Sequence, residues 1–110
     1  MNWPKQVPFF TTDNVHNIDG EYTIIEKGVT KRCSMGWLKH LFLDFNEFGP
    51  LDMSKLREAD IILRKIGKIS RYDSIEEWND QQTRKNIADV LNKTMAELGY
   101  ITNQKPETRK

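Results

Sequence analysis

One cysteine, two histidines and a few close-set carboxylates are the residues through which this chain could do chemistry. Cys33 follows Lys31 and Arg32 and precedes an apolar-periodic stretch. The positive end of a helix dipole would stabilise a thiolate there. A nucleophilic cysteine also needs a histidine to take its proton and an amide or carboxylate to orient that histidine. The available partners are His16, His40, Asn79 and Asp80. His40 lies two turns along the same helix, beyond direct hydrogen-bond reach of the sulfur, so another segment would have to deliver His16. The plain reading is a small half-buried thiol that packs like alanine. We assign no catalytic residue, and Cys33, His16 and His40 are the candidates if there is one.

Glu76, Glu77 and Asp80 crowd three acids into five residues. Their place at a helix start is what dipole compensation alone produces. Two histidines without a carboxylate at ligand spacing do not make a metal site, and no cofactor is expected. Arg64, Lys65, Lys68 and Arg71 form a run of cations next to Tyr72 without an acid among them. Phosphates are bound by clustered cations and bases stack on aromatics, which makes this the candidate nucleic-acid surface. Cations at a helix C-terminus also complement its dipole, and the gap from Gly67 to Asp73 is long for a helix-turn-helix.

These residues sit in a chain of 110 with a formal net charge of +1, too nearly balanced for a binder driven by overall charge. A single cysteine leaves no intramolecular disulfide and no cysteine-based zinc site, in keeping with a reducing compartment. The opening MNWPKQVPFF lacks the order of a signal peptide, and no apolar run is long enough to span a bilayer. The expectation is a cytoplasmic protein without membrane attachment.

The elements that must position the candidates can be read from spacing. Ser74 and Glu77 have the form of a capping box, which starts a helix at Ile75. Asn79 and Asp80 can both cap, so the reading is a short turn from Ile75 to Trp78, a break, and a long helix from about Gln81. Ile87, Val90, Leu91, Thr94, Met95 and Leu98 fall on one face of that helix, and Gly99 closes it. Arg84, Lys85, Asp89, Asn92, Lys93 and Glu97 fall on its solvated side. Upstream, Ser34 caps a helix running to Phe45 with Met35, Leu38, Leu41 and Phe42 on its apolar face, and Gly36 leaves room for another backbone. After a loop broken by Gly49-Pro50, Ser54 caps a helix from Lys55 to Ile66 whose stripe is Leu56, Ala59, Ile62, Leu63 and Ile66.

Between residues 14 and 32, Asp19-Gly20 is a two-residue hairpin signal and Lys27-Gly28 a second turn, around the β-favouring run Tyr22 to Ile25. The fold class is α+β and mainly helical: three amphipathic helices packed with a small N-terminal β-hairpin or meander. Residues 1–101 make one domain, with the helical core in 34–98 and a flexible tail in 102–110. The expected core is Ile24, Met35, Leu38, Leu41, Phe42, Leu56, Ile62, Leu63, Ile66, Ile75, Trp78, Ile87, Val90, Leu91, Met95 and Leu98.

Cys33-Ser34-Met35-Gly36, followed by Ser74-Ile75-Glu76-Glu77-Trp78-Asn79-Asp80 and a final helix, resembles an uncharacterised family of small bacterial and phage proteins, a domain of unknown function. The resemblance spans about residues 30–98. Trp37 stands where the family has small residues, and the region before Cys33 reads as strands where the family has a helix. The resemblance implies a helical core, with Ser74, Glu77, Trp78, Asn79 and Asp80 as a structural motif, and names no activity.

Without a catalytic constellation, an enzyme is not the expectation. The leading reading is a small protein-interaction module, phage- or prophage-encoded in line with the resemblance. Its anchors would come from the aromatics outside the helices: Trp3, Phe9, Phe10, Phe48 and Tyr100. The alternatives are a nucleic-acid-binding accessory protein acting through Arg64 to Tyr72, and a cysteine-dependent hydrolase or transferase at Cys33. A homodimer is compatible with all three.

Overall fold

The computed structural model of the chain describes residues 6–18, 20–42 and 53–103. In chain order these form β1 (Gln6–Pro8), β2 (Thr23–Glu26), β3 (Val29–Arg32), α1 (Ser34–Phe42), α2 (Met53–Gly67), α3 (Ile75–Asp80), α4 (Arg84–Glu97) and β4 (Ile101–Asn103). The class is the expected one, α+β and mainly helical. Trp3, Phe45, Phe48, the Gly49-Pro50 loop and the tail beyond Asn103 lie outside the described residues.

The hairpin turns at Lys27-Gly28, the second turn of the sequence reading, while Asp19 of the Asp19-Gly20 signal lies outside the described residues. Lys27 and Gly28 both have positive φ, 52° and 79°, the two-residue geometry that matches strand twist. β2 and β3 then pair antiparallel, with Ile25 opposite Thr30 and Glu26 opposite Val29. Between β1 and β2, no further strand forms among the described residues. Val15 makes a single parallel bridge to Arg32 instead, so the 14–18 segment runs alongside the end of β3 and does not extend a meander. Thr102 and Asn103, read as the start of a flexible tail, belong instead to β4, which pairs in parallel with β1, Val7 opposite Thr102. That register follows from the end of α4: Gly99 takes φ +88°, and the Tyr100 N–H closes back on the Met95 carbonyl at 3.0 Å.

Two caps differ from the expectation. Cys33, not Ser34, caps α1: its Sγ accepts the Gly36 N–H at 3.3 Å, while the Ser34 hydroxyl donates to Asn79. Ser54 lies within α2, which starts at Met53. α2 ends with Lys68 in the left-handed region at φ 58°, and the Ile69 N–H reaches the Arg64 carbonyl at 2.9 Å. Gly67, read as the stop, lets the Trp78 ring pack closely, since a Cβ there would lie 3.1 Å from it. The capping box of α3 is present as read, Ser74 Oγ accepting the Glu77 N–H and the Glu77 carboxylate accepting the Ser74 N–H. α3 continues through Asn79 and Asp80, and Thr83 caps α4 after a three-residue break.

The core joins α1, α2 and α4 through Leu38, Leu41, Phe42, Leu63, Ile87, Leu91 and Met95, closed by Ile75 and Trp78 of α3. The stripes placed most of it, but Ile24, Met35, Leu56, Ile62, Ile66 and Leu98 are only half-buried. The N-terminal arm supplies what they leave: Val7, Phe10 and Val15 are buried, and Phe10 meets Trp37 edge-on at 5.0 Å. Asn92, on the side of α4 read as solvated, holds that arm. Its amide accepts the Phe10 N–H at 2.8 Å and donates to the Phe10 carbonyl at 2.9 Å, as a neighbouring strand would.

Candidate functional site

The helix start at Cys33 faces a hollow of about 400 Å³ whose lining includes Glu21, Tyr22, Cys33, Glu76, Glu77 and Asp80. The close approach expected at Gly36 builds one wall. A Cβ on Gly36 would sit 2.5 Å from the Tyr22 carbonyl oxygen, which also accepts the Cys33 N–H at 3.0 Å. Tyr22 is held further by its hydroxyl, which donates to Glu76 at 2.7 Å, and by the Lys39 ammonium 4.4 Å from its ring centroid.

The hollow does not favour a thiolate. Burial pushes the Cys33 thiol up, the N–H groups of Gly36 and Met35 pull it back in part, and the carboxylates of Glu76 and Asp80 raise it again. The helix end that would stabilise the anion is outweighed because Cys33 is 3% exposed. Of the other members of the proposed constellation, Asp80 lines the same hollow, and His16, His40 and Asn79 are engaged elsewhere. His16 is buried with Nδ1 accepting the Ile18 N–H at 3.0 Å, and its Nε2 makes no hydrogen bond among the described residues, the Cys33 sulfur included. His40 stacks edge-on against Trp37 at 5.7 Å. Asn79 is fully buried and binds Ser34 and the His16 carbonyl. Among the described residues, no group of three or more histidines, cysteines and acids could hold a metal ion.

The cationic run is laid out differently from its linear order. Arg64 is a brace: it pairs with Asp60 at 2.7 Å and donates to the Ser70 and Asp73 carbonyls at 3.2 and 2.8 Å. With Tyr72 N–H donating to Ser70 Oγ at 3.1 Å, this fixes the 68–73 turn. On the fixed turn Tyr72 stands 82% exposed, and the Arg71 guanidinium lies 5.3 Å from its ring centroid. Lys65 and Lys68 are exposed beside them. The surface continues up α2 at four-residue spacing through Ile61, 62% exposed, to Arg57. Arg57 and Ile61 were not singled out in the sequence, although their spacing from Lys65 puts all three on one helix face.

The aromatic anchors have a different fate. Phe10 is 1% exposed and belongs to the core, Phe9 and Tyr100 are half-buried, and Tyr100 lies 6.1 Å from Phe42. Prominent apolar exposure is found instead at Tyr72, at Ile61 and on the outer face of the hairpin, where Ile25 is 74% exposed. Among the described residues, no helix is long and apolar enough to cross a membrane. No protein-family model, curated protein or solved structure matches the chain.

Proposed function

We propose that this chain is a small protein-interaction module, of the phage or prophage kind its resemblance implies, whose contact surface is the exposed face of α2 together with the 68–73 turn. The observation that carries the reading is Tyr72: an almost fully exposed tyrosine, paired with Arg71, on a turn held rigid by Arg64. Tyrosine and arginine dominate binding energy at interfaces, and a turn already fixed loses little entropy on docking. Exposed Lys65 and Lys68, and Arg57 two turns up α2 from Lys65, favour a partner that presents carboxylates.

Nucleic-acid binding is a second reading of the same surface, favoured by Lys65, Lys68 and Arg71 close in sequence to an exposed ring on which a base can stack. Affinity capture from host lysate, with and without nuclease, separates the two. The first reading expects a protein retained after nuclease by the wild type and lost with Tyr72→Ala and with Lys65→Glu/Lys68→Glu. Loss of all retained material on nuclease treatment transfers the surface to nucleic acid. Retention by both variants, with loss on Ile25→Lys, would move the contact surface to the hairpin and overturn the assignment.

A further inference from the structure

His16 is 0% exposed and sits where four segments meet. Its backbone N–H donates to the Arg32 carbonyl at 3.2 Å, and its carbonyl accepts the Asn79 amide at 2.9 Å. Its ring Nδ1 accepts the Ile18 N–H at 3.0 Å. An Nδ1 that accepts leaves the proton of the neutral ring on Nε2, which faces the Tyr22 carbonyl without completing a hydrogen bond of ordinary geometry among the described residues. The residues on either side are tied to the body through the same few contacts. The Asn14 carbonyl accepts the Arg32 N–H at 3.2 Å, and the Asn17 amide donates to the Gln82 carbonyl at 2.8 Å.

We propose that His16 is an acid-operated latch: in its neutral form it fastens the 14–18 segment to β3 and α3, and protonation of Nδ1 releases that segment while the helical core stays folded. Protonation turns the acceptor of the Ile18 N–H into a second donor. It also places a charge on a fully buried ring whose facing carboxylates, among the described residues, are the exposed Glu21 and the already paired Glu26. Of the groups facing the ring, Glu21 on the preceding loop and Glu26 on β2 favour the charged form, and so does the Tyr22 carbonyl. Arg84 at the start of α4 opposes it, and burial outweighs them all. Glu26 is already bound by Arg84 and Lys31, so it does not serve as a counter-ion. From β3 and α3 the ring's segment meets only the Arg32 backbone and the neutral Asn79 amide. Folding holds the ring below its ordinary value, so the latch is fully closed above that value and weakens as pH falls beneath it.

The test is amide hydrogen exchange by NMR between pH 7.5 and 5, on the wild type and on His16→Asn, which keeps an acceptor near the Nδ1 position and does not titrate. In the wild type, protection at Ile18 and Arg32 is expected to fall about tenfold for each pH unit below about 6.5, levelling off once the buried ring itself titrates, while Leu91 and Met95 in α4 keep theirs. His16→Asn is expected to show no such dependence. Ring nitrogen shifts, with His40 as internal reference, give a measure independent of the variant's folding: His16 must titrate below the ordinary value and carry its proton on Nε2. Ordinary titration of His16, a parallel loss of protection across α4, or the same pH dependence in a folded His16→Asn would each overturn the latch.

Discussion

The side-chain amide of Asn79 closes over the first turn of α1, its Oδ1 accepting both the backbone N–H of Ser34, at 2.9 Å, and the Ser34 hydroxyl. Its Nδ2 donates to the His16 carbonyl at 2.9 Å, so one buried amide joins the N-terminal arm, α1 and α3. Removing it strands two donors and an acceptor in a dry site, where each unsatisfied group costs about 1–3 kcal/mol. Asn79→Ala is therefore expected to lower stability by about 3–4 kcal/mol in urea unfolding. Ser34→Ala, which leaves the N–H contact in place, should cost about 1 kcal/mol.

Glu26 fastens the hairpin to the helices. Its carboxylate takes two N–H groups of Arg84 at 2.9 and 3.1 Å and the Lys31 ammonium at 2.8 Å. Arg84 first, and Lys31 after it, hold the group down at about 2, against an ordinary value of 4.5. Because the folded value is depressed, the contribution of the pair is complete above 4.5 and is lost as pH falls from there toward 2. Urea midpoints measured from pH 6 to 2 should show this acid limb in the wild type and a shallower one in Glu26→Gln. Arg84→Lys, without the two-pronged geometry, should also weaken it.

Gly36 and Lys68 make opposite predictions about glycine. A Cβ at residue 36 would press on the Tyr22 carbonyl at 2.5 Å, so Gly36→Ala must displace that carbonyl from the Cys33 N–H and is expected to cost about 2–3 kcal/mol. Lys68 holds φ 58°, a region that penalises a side chain, so Lys68→Gly should raise stability by about 0.5–1 kcal/mol. The same change removes a cation from the proposed contact surface. Thermal unfolding and partner affinity should therefore move in opposite directions in that variant.

Cys33 tests whether the hollow does chemistry. A thiol 3% exposed and pushed up by burial and by Glu76 and Asp80 should react slowly with a disulfide reagent at neutral pH. The expected labelling rate follows the unfolding rate and rises with urea. Fast labelling of the native protein would restore the nucleophilic reading of this residue.

The sequence by itself determined what depends on neighbours within a turn or two. The Ser74 and Glu77 capping box, the stripe of Ile87 to Leu98, the closing Gly99 and the Lys27-Gly28 turn are all settled by contacts a few residues apart, and they stand as read. The adjacency of Arg71 and Tyr72 was legible for the same reason. Only the tertiary structure decided which polar residues are structural. Asn79 reads as a helix breaker and is instead a buried tie, because its partners lie 45 and 63 residues away. Asn92 reads as solvated and instead pairs with Phe10 across 82 residues. Arg64 reads as one more cation of a patch, yet its bonds to Ser70 and Asp73 make it the support on which Tyr72 stands. A buried hydrogen bond gains its strength from the exclusion of water, and packing across the whole chain determines where water is excluded.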